Sequence, residues 1–555
     1  MGGRVGRGAG LVNEDRTALL AATALPDDVP PWSLSRRLTH WLVPAAIVFA
    51  GSMVLDSRTL MPGLGFWDTG EFQALGPVLG IAHPTGYPSY VLLLWLASVL
   101  LQPFGDPALR ANLLSAILIS GAGALVTVAV IQVTRRAAIG VVAGAVLVVS
   151  PIAWQNAVRA DPHGLHLFLS ALLLVLLLGW GIRERAGRPN AGRWLLAAAV
   201  CFGASLGNHA LTLLLAPGIA LFVLAIAPRI LWRQWRLVLA CAAALALTTV
   251  VLYAYIPIRA SMHPPLDYAH PTDWASFSYL VFGQQFTGTF HPMPPLETAI
   301  QTVWGVLQTN LGVGAWAALV GLVVGLWRRP RLMLLTIPWF VLPVWFLLGY
   351  DNADIDRYYL VPIMVAAVWA GLAVDWAWDV ALIGWRWLRP DGSLVPRLAS
   401  TVVTVAAACL LLVPVLTPVP TRLRDLDESA DTDARQFLDS TLAALEPDPV
   451  IISWWSYSTP LWYGRWVEGE RPDMTIIDDR TMLDERLGSP GCDDVGGSQC
   501  MIDVIDGYLD QRPVYLIRLD GDLPDFRDRF VLEQVPDILH GTVWHVVGRQ
   551  PGTGG

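Results

Sequence analysis

Residues 111–136 read ANLLSAILISGAGALVTVAVIQVTRR, twenty-four residues without a charge followed by two arginines. As a helix, the uncharged run rises about 35 Å, enough to cross roughly 30 Å of hydrocarbon. The arginine pair then marks the end that stays on the side where positive residues collect, the cytoplasm. This stretch sets both a fold class and an orientation for its neighbours.

Working outward, apolar blocks of similar length lie at about 40–56, 137–154, 164–182, 193–208, 210–227, 237–256, 311–327, 332–349, 358–380 and 398–417. With 111–133 they predict eleven spans. The 555-residue chain is 54% hydrophobic and 15% charged, with mean hydropathy +0.50. Soluble domains carry about 25% charged residues, so a large soluble enzyme is excluded. Arginine recurs at 135–136, 183–193, 229–236, 328–331 and 386–397. Two spans separate each of these loops from the next, which places all five in the cytoplasm with the amino terminus. The opposite loops are 57–110, 155–163, the turn at Asn208-His209, 257–310 and 350–357. Counting the apolar stretch 90–101 (YVLLLWLASVLL) as a crossing would put two of the arginine loops outside, so it is read as a re-entrant or interfacial helix.

Residues 1–37 have no apolar period and are expected to form a flexible cytoplasmic tail. The spans then occupy 38–420. From 421 onward there are 12 Arg against 26 Asp plus Glu, so an acidic domain, 421–555, follows on the extracytoplasmic side. It reads as α/β, with strands at 450–455, 474–477, 514–518 and 542–547 and helices at 457–468 and 499–511. Cys492 and Cys500 in its loop GCDDVGGSQC are candidates for a disulfide. A nucleic-acid partner is excluded by the lack of concentrated positive charge.

In so poorly charged a chain, polar residues at span ends stand out. The first external loop, 57–110, contains GFWDTGEFQALGPVLGIAHPTGYPSY. Asp68 and Glu71 are three apart, so one helical turn sets both on one face. Two readings are open: a capping box with Asp68 as N-cap, or a carboxylate poised as a general base. His83-Pro84 and Gly86-Tyr87-Pro88 predict irregular backbone, which beside a membrane lines a cavity. The second loop offers Arg159, Asp161 and His163, either as a solvated turn or as part of a site. Asn208 and His209 interrupt an apolar run of about thirty residues and face the same side. Arg259, just beyond a span, suits a phosphate or snorkels to headgroups. The last such loop supplies Asp351, Asp354, Asp356, Arg357, Tyr358 and Tyr359. It lacks the glycine and final glutamate of a calcium loop. No P-loop, dinucleotide fingerprint, HExxH or GxSxG occurs, so soluble-nucleotide and hydrolase chemistry lack support.

The runs D-T-G-E-F and A-H-P-T-G-Y-P resemble the signature of a bacterial membrane family related to the eukaryotic transmembrane protein O-mannosyltransferases. The group as a whole is similar to the GT-C glycosyltransferase superfamily. G-N-H (207–209), Y-I-P-I-R (255–259), Y-D-N-A-D-I-D-R-Y-Y (350–359) and L-W-Y-G-R-W-V-E-G-E-R-P-D (461–473) extend the likeness. It implies a GT-C-like polytopic helical fold and transfer of a sugar from a polyprenyl-phosphate donor to an acceptor hydroxyl on the extracytoplasmic side. It further implies Asp68 as base, and the physical reading of the residues agrees, with Arg259 and Arg357 neutralising the leaving phosphate and Glu71 and His83 orienting the acceptor or the base. Tyr87, Arg159, Asp161, Asn208, His209, Asp356 and Tyr358 complete the expected substrate-binding set. The second loop departs from the family pattern: Asp161-Pro162-His163 stands where many relatives have a Glu-Val-Tyr-type stretch. That leaves open the role of this loop and the choice of sugar or acceptor.

The expected partners are a lipid-linked sugar, membrane lipid and a protein, polysaccharide or lipid acceptor. No cofactor is required by any motif, and a divalent metal is left open. The alternatives are a transporter or lipid flippase, and a scaffold acting through its acidic domain. A transporter would show midplane binding groups and inverted repeats, whereas here the polar residues crowd one face.

Overall fold

A computed structural model describes residues 38–352, 354–388, 413–479 and 498–551. The expected tail 1–37, Cys409, Cys492 and all but the last residues of the expected span 398–417 lie outside these. In chain order the membrane region contains α1 (Val43–Thr59), α2 (Trp67–Val78), α3 (Pro88–Leu100), α4 (Pro107–Thr134), α5 (Ala137–Val148), α6 (Pro162–Arg185) and α7 (Ala191–Leu206). It continues with α8 (Ala216–Ile226), α9 (Trp235–Ala260), α10 (Leu296–Leu311), α11 (Gly314–Arg328), α12 (Pro330–Leu348) and α13 (Leu360–Leu388). Among the described residues, six helices are long and apolar enough to cross a membrane. There are seven if α10 and α11, bent by 113° at their junction, count as one span. α5, α7 and the 210–226 segment are shorter apolar helices at expected span positions. α3 has 13 residues, a rise of about 20 Å, too short to cross.

α4, α6 and α13 form the middle of the bundle, packing Ile119, Leu174, Trp180, Ile363 and Met364 at 0% exposure. Small residues permit close crossings, as usual where helices pack in lipid. A Cβ on Gly321 of α11 would sit 1.7 Å from the carbonyl oxygen of Trp369 in α13. α9 lies at the periphery with its apolar side chains outward; among its residues only Ile256 and Ala260 are buried. At one end of the bundle Arg136 donates to Asp375 and, at 2.7 Å, to Asp379. Arg328 reaches the same Asp379 at 2.7 Å. Two of the arginine loops therefore do share an end, tied there by carboxylates of α13.

The C-terminal region adds α14 (Asp433–Ala444), α15 (Trp455–Tyr463) and α16 (Ser498–Tyr508) around five strands. These are β1 (Val450–Ser453), β2 (Thr475–Asp478), β3 (Val514–Ile517), β4 (Phe530–Gln534) and β5 (Val543–Arg549). The sheet order is β2-β1-β3-β5-β4, parallel across the first three and antiparallel across the rest. β1 is buried along its whole length, as the apolar run VII requires. β4 and α14 are additions to the elements expected from sequence. Val531, Glu533 and Gln534 of β4 are exposed, so this edge strand carries a weak apolar signal.

One core joins the two parts. Phe72, Leu75, Tyr87 and Tyr90 of the first loop pack in a single cluster with Phe437, Trp455, Leu461 and Tyr463. The opposite sheet face has its own cluster, including Ile505, Phe526 and Phe530. Cys500 there is disulfide-bonded.

Candidate active site

α2 carries Asp68 and Glu71 and is held from three directions. Its N-terminal approach is fixed by Asn112 of α4, which is fully buried. Asn112 Nδ2 donates to the carbonyls of Met61 and Gly63 at 3.0 and 2.9 Å. Its Oδ1 accepts from Gln73 at 2.8 Å and from the Ala160 amide at 2.9 Å. One amide thus knits the first loop, the second loop and a span together. On the side facing the C-terminal domain, α15 packs so tightly against the first turn that a Cβ on Gly70 would lie 2.7 Å from Thr459 Oγ1. At its far end Arg259 donates to the carbonyls of Leu79 and Val78 at 2.9 and 3.1 Å, satisfying carbonyls left open where a helix stops.

The helix starts at Trp67 with Phe66 as its cap, so Asp68 is not the N-cap and no capping box forms. Both carboxylates are directed elsewhere. Asp68 Oδ2 accepts from Arg357 at 2.8 Å. The same guanidinium donates to Asp161 Oδ2 at 2.8 Å, and Asp354 lies 3.4 Å away. Asp161 caps α6, accepting from the His163 amide at 2.7 Å and pairing with its Nδ1 at 2.8 Å. Burial opposes ionisation of Asp161, but His163 and Arg357 beside it outweigh that and hold its carboxyl well below the usual carboxylate range. Glu71, 2% exposed, pairs with His83 Nδ1 at 2.5 Å and accepts from the His83 amide at 2.9 Å. The His83 ring is walled by Phe72, Tyr87 and Trp455 at centroid distances of 5.7, 5.2 and 6.0 Å.

Behind Asp161 the rings gather. His163 lies 4.8 Å from His209 and 4.7 Å from Tyr358, and Tyr87 closes on His209 at 5.8 Å. Burial, followed by the charges of the neighbouring histidines and Arg357, pushes the His209 imidazole well below its ordinary value. Asn208 donates to the Pro162 carbonyl at 3.0 Å, fixing the turn before His209 to the start of α6.

The structure therefore brings together Asp68, Glu71, His83, Tyr87, Asp161, His209, Arg357 and Tyr358, with Asn208 bracing them. Arg159 instead stands beside Glu428. Asp356 is exposed next to Tyr359, and Arg259 lies at the other end of α2. Three contributors go beyond the sequence reading: Asn112, Gln73 and Trp455. Asn112 could have been flagged as a rare amide at the start of an apolar span; nothing local marks Trp455.

Asp68, Glu71 and His83 each offer a ligand atom, and these lie within 4.8 Å of one another. Two carboxylates and an imidazole suit a divalent cation. The site as a whole sets four carboxylates, Asp68, Glu71, Asp161 and Asp354, against the Arg357 guanidinium, a charge balance that further favours a cation there.

Comparison with known proteins follows the same residues. Residues 68–230 match the family model of the protein O-mannosyl-transferase TMEM260 N-terminal domain. The protein O-mannosyl-transferase TMEM260 of Mus musculus is 30% identical over 217 residues, which are 38% of this chain and 29% of that relative. The chain thus aligns with under a third of that relative's length. Among solved structures, ArnT from Cupriavidus metallidurans bound to undecaprenyl phosphate superposes with a TM-score of 0.52 at 14% identity, covering 94% of this chain and all of that one. The oligosaccharyltransferase AglB from Archaeoglobus fulgidus gives 0.52 at 14% identity, covering 93% and 75%. The chain is related in sequence to protein O-mannosyl-transferases, and it has the GT-C fold.

Proposed function

We propose that the protein is a membrane glycosyltransferase that moves a sugar from a polyprenyl-phosphate carrier to an acceptor hydroxyl, with Asp68 as general base. The observation that carries this reading is the bridge of Arg357 between Asp68 and Asp161. A base needs a carboxylate beside the acceptor, and the contact with Arg357 fixes the Asp68 carboxylate at the first turn of α2. Asp68 is also the more open member, its side chain 21% exposed against 4% for Asp161.

In this scheme the acceptor oxygen attacks the anomeric carbon while Asp68 takes its proton. The bond from that carbon to the phosphate oxygen breaks, and its electron pair leaves with the phosphate. A single displacement inverts the anomeric configuration. Arg357 keeps its Nε without a hydrogen-bond partner among the described residues, a donor available to the phosphate as negative charge grows. This role suits Arg357 better than Arg259, which is committed to carbonyls roughly 16 Å along α2 from Asp68. Glu71 and His83, locked to each other, would position the acceptor. A divalent cation held by Asp68, Glu71 and His83 would supply further positive charge beside the phosphate.

Two observations support a lipid-linked donor. An apolar groove of about 670 Å³ runs between α10, α11, α12 and α13, lined by Trp304, Leu307, Trp316, Ile337 and Leu348. Just past Leu348 the ring of Tyr350 lies 6.0 Å from Tyr358 of the site. The ArnT and AglB structures were solved with undecaprenyl phosphate and dolichol-phosphate. The arginine-rich loops at the other end of the bundle support an extracytoplasmic position for this site. Incubating the purified chain with a panel of polyprenyl-phosphate hexoses should release polyprenyl phosphate for at least one sugar. No release from any member, in the presence of acceptor and divalent cation, would overturn the reading.

A further inference from the structure

A second cavity, of about 230 Å³, lies between α2, the loop after α9 and the C-terminal domain. Glu71 forms part of its lining, so it adjoins the carboxylate cluster directly. The other walls include the indoles of Trp455, Trp462 and Trp466, the Arg465 guanidinium and the Asp267 carboxylate. Trp455 and Trp462 meet at 84° with centroids 5.4 Å apart, setting two indoles at right angles. Arg465 is steadied over the Trp466 ring at 4.3 Å, and Asp267 Oδ2 is fixed by His270 at 2.5 Å. Yet Asp267 Oδ1 and Arg465 Nε are buried without hydrogen-bond partners among the described residues.

A buried acceptor and a buried donor left unpaired cost free energy that a ligand can recover. The ligand must offer groups that both donate and accept, together with an apolar face to lie on indole. A pyranose ring has both, with hydroxyls on its rim and C–H bonds on its faces. A phosphate would meet Asp267 and Glu71 as like charges. At about 30 Å³ per water, the cavity has room for about eight, the size of one ring rather than an extended chain. The position assigns the ring to one reactant: Asp68 faces Arg357 and the spans, from which a lipid donor comes, whereas this cavity opens beside the C-terminal domain.

We propose that this cavity is an acceptor subsite for a sugar ring, so that the protein extends a glycan. The inference rests on the transferase reading for the word acceptor; binding of the ring can be measured without it. The experiment is saturation-transfer NMR on the full chain in detergent, with methyl hexopyranosides in one arm and a Ser/Thr-containing peptide in the other. At least one pyranoside should show saturation at its ring protons, falling at least tenfold in Trp462→Ala and in Asp267→Asn. The signal should survive in Asp68→Asn, because binding needs no base. If Trp462→Ala fails to fold, Trp466→Ala, at a partly exposed position, gives the same reading. Absence of saturation for every pyranoside, a signal unchanged in these cavity variants, or saturation of the peptide alone overturns the proposal. Displacement of the pyranoside by a polyprenyl-phosphate hexose would assign the ring to the donor and overturn it as well. Persistent sugar transfer by Asp68→Asn with intact pyranoside binding would remove the base assignment and leave this subsite standing.

Discussion

Arg357 and Asp68 are 289 positions apart in the chain and meet at 2.8 Å. The contact binds the start of the last described span to the first turn of α2, and it aligns a cation with the carboxylate we propose as the base. Asp161, on the same guanidinium, makes the bridge three-membered.

Replacing Asp68 by Asn keeps the shape and removes the proposed base. Sugar transfer should fall by about 10²–10⁴, with thermal stability in detergent close to wild type. Transfer at the wild-type rate would reassign the base.

Arg357→Leu leaves two carboxylates facing each other without their cation. Breaking a buried pair costs about 3–5 kcal/mol, so the thermal midpoint should drop clearly. Arg357→Lys should recover only part of the loss, since one ammonium cannot reproduce a fork that donates to two carboxylates. Equal midpoints for wild type and the Leu variant would show the bridge to be energetically idle.

Asp161 gives stability a pH dependence of known sign. Its carboxyl is held below the ordinary range when folded, so its contribution is full above the unfolded value of about 3.9 and fades as pH falls through the folded one. The stability gap between wild type and Asp161→Asn should be constant above about pH 5 and shrink below about pH 4. A gap that widened on acidification would contradict the ion pair.

Divalent cations can be tested directly. Equilibrium dialysis against Mn²⁺ should show one site per chain that is weakened at least tenfold in Glu71→Gln and in His83→Ala. Chelation should then depress sugar transfer. Full activity in excess chelator, with no bound Mn²⁺, would leave the carboxylates to work with Arg357 alone.

Much of this site could be read from residue types because charge is so scarce. Asp68, Glu71, Asp161 and Arg357 stand out in loops between apolar blocks, and all four converge. Arg259 stood out equally, yet it closes the end of α2. Nothing in YIPIR distinguishes a guanidinium that meets a phosphate from one that meets carbonyls, because that depends on where α2 ends. Apolar length in the sequence marked the six helices that are long enough to cross, and the arginine pattern argued against a crossing at 90–101, where α3 has 13 residues. Illegible were the walls supplied by Trp455, Trp462 and Thr459. Their aromatic and small residues look like ordinary core until the sheet domain is placed against α2.

The core shared by Phe72 and Trp455 has a consequence for how the protein is made. A ribosome delivers α2 long before α15, about 390 residues earlier in the message. Until α15 arrives, Gly70 has no Thr459 against it and His83 lacks one wall. The proposed reaction centre therefore stays unfinished until the sheet domain has been made and has docked against α2.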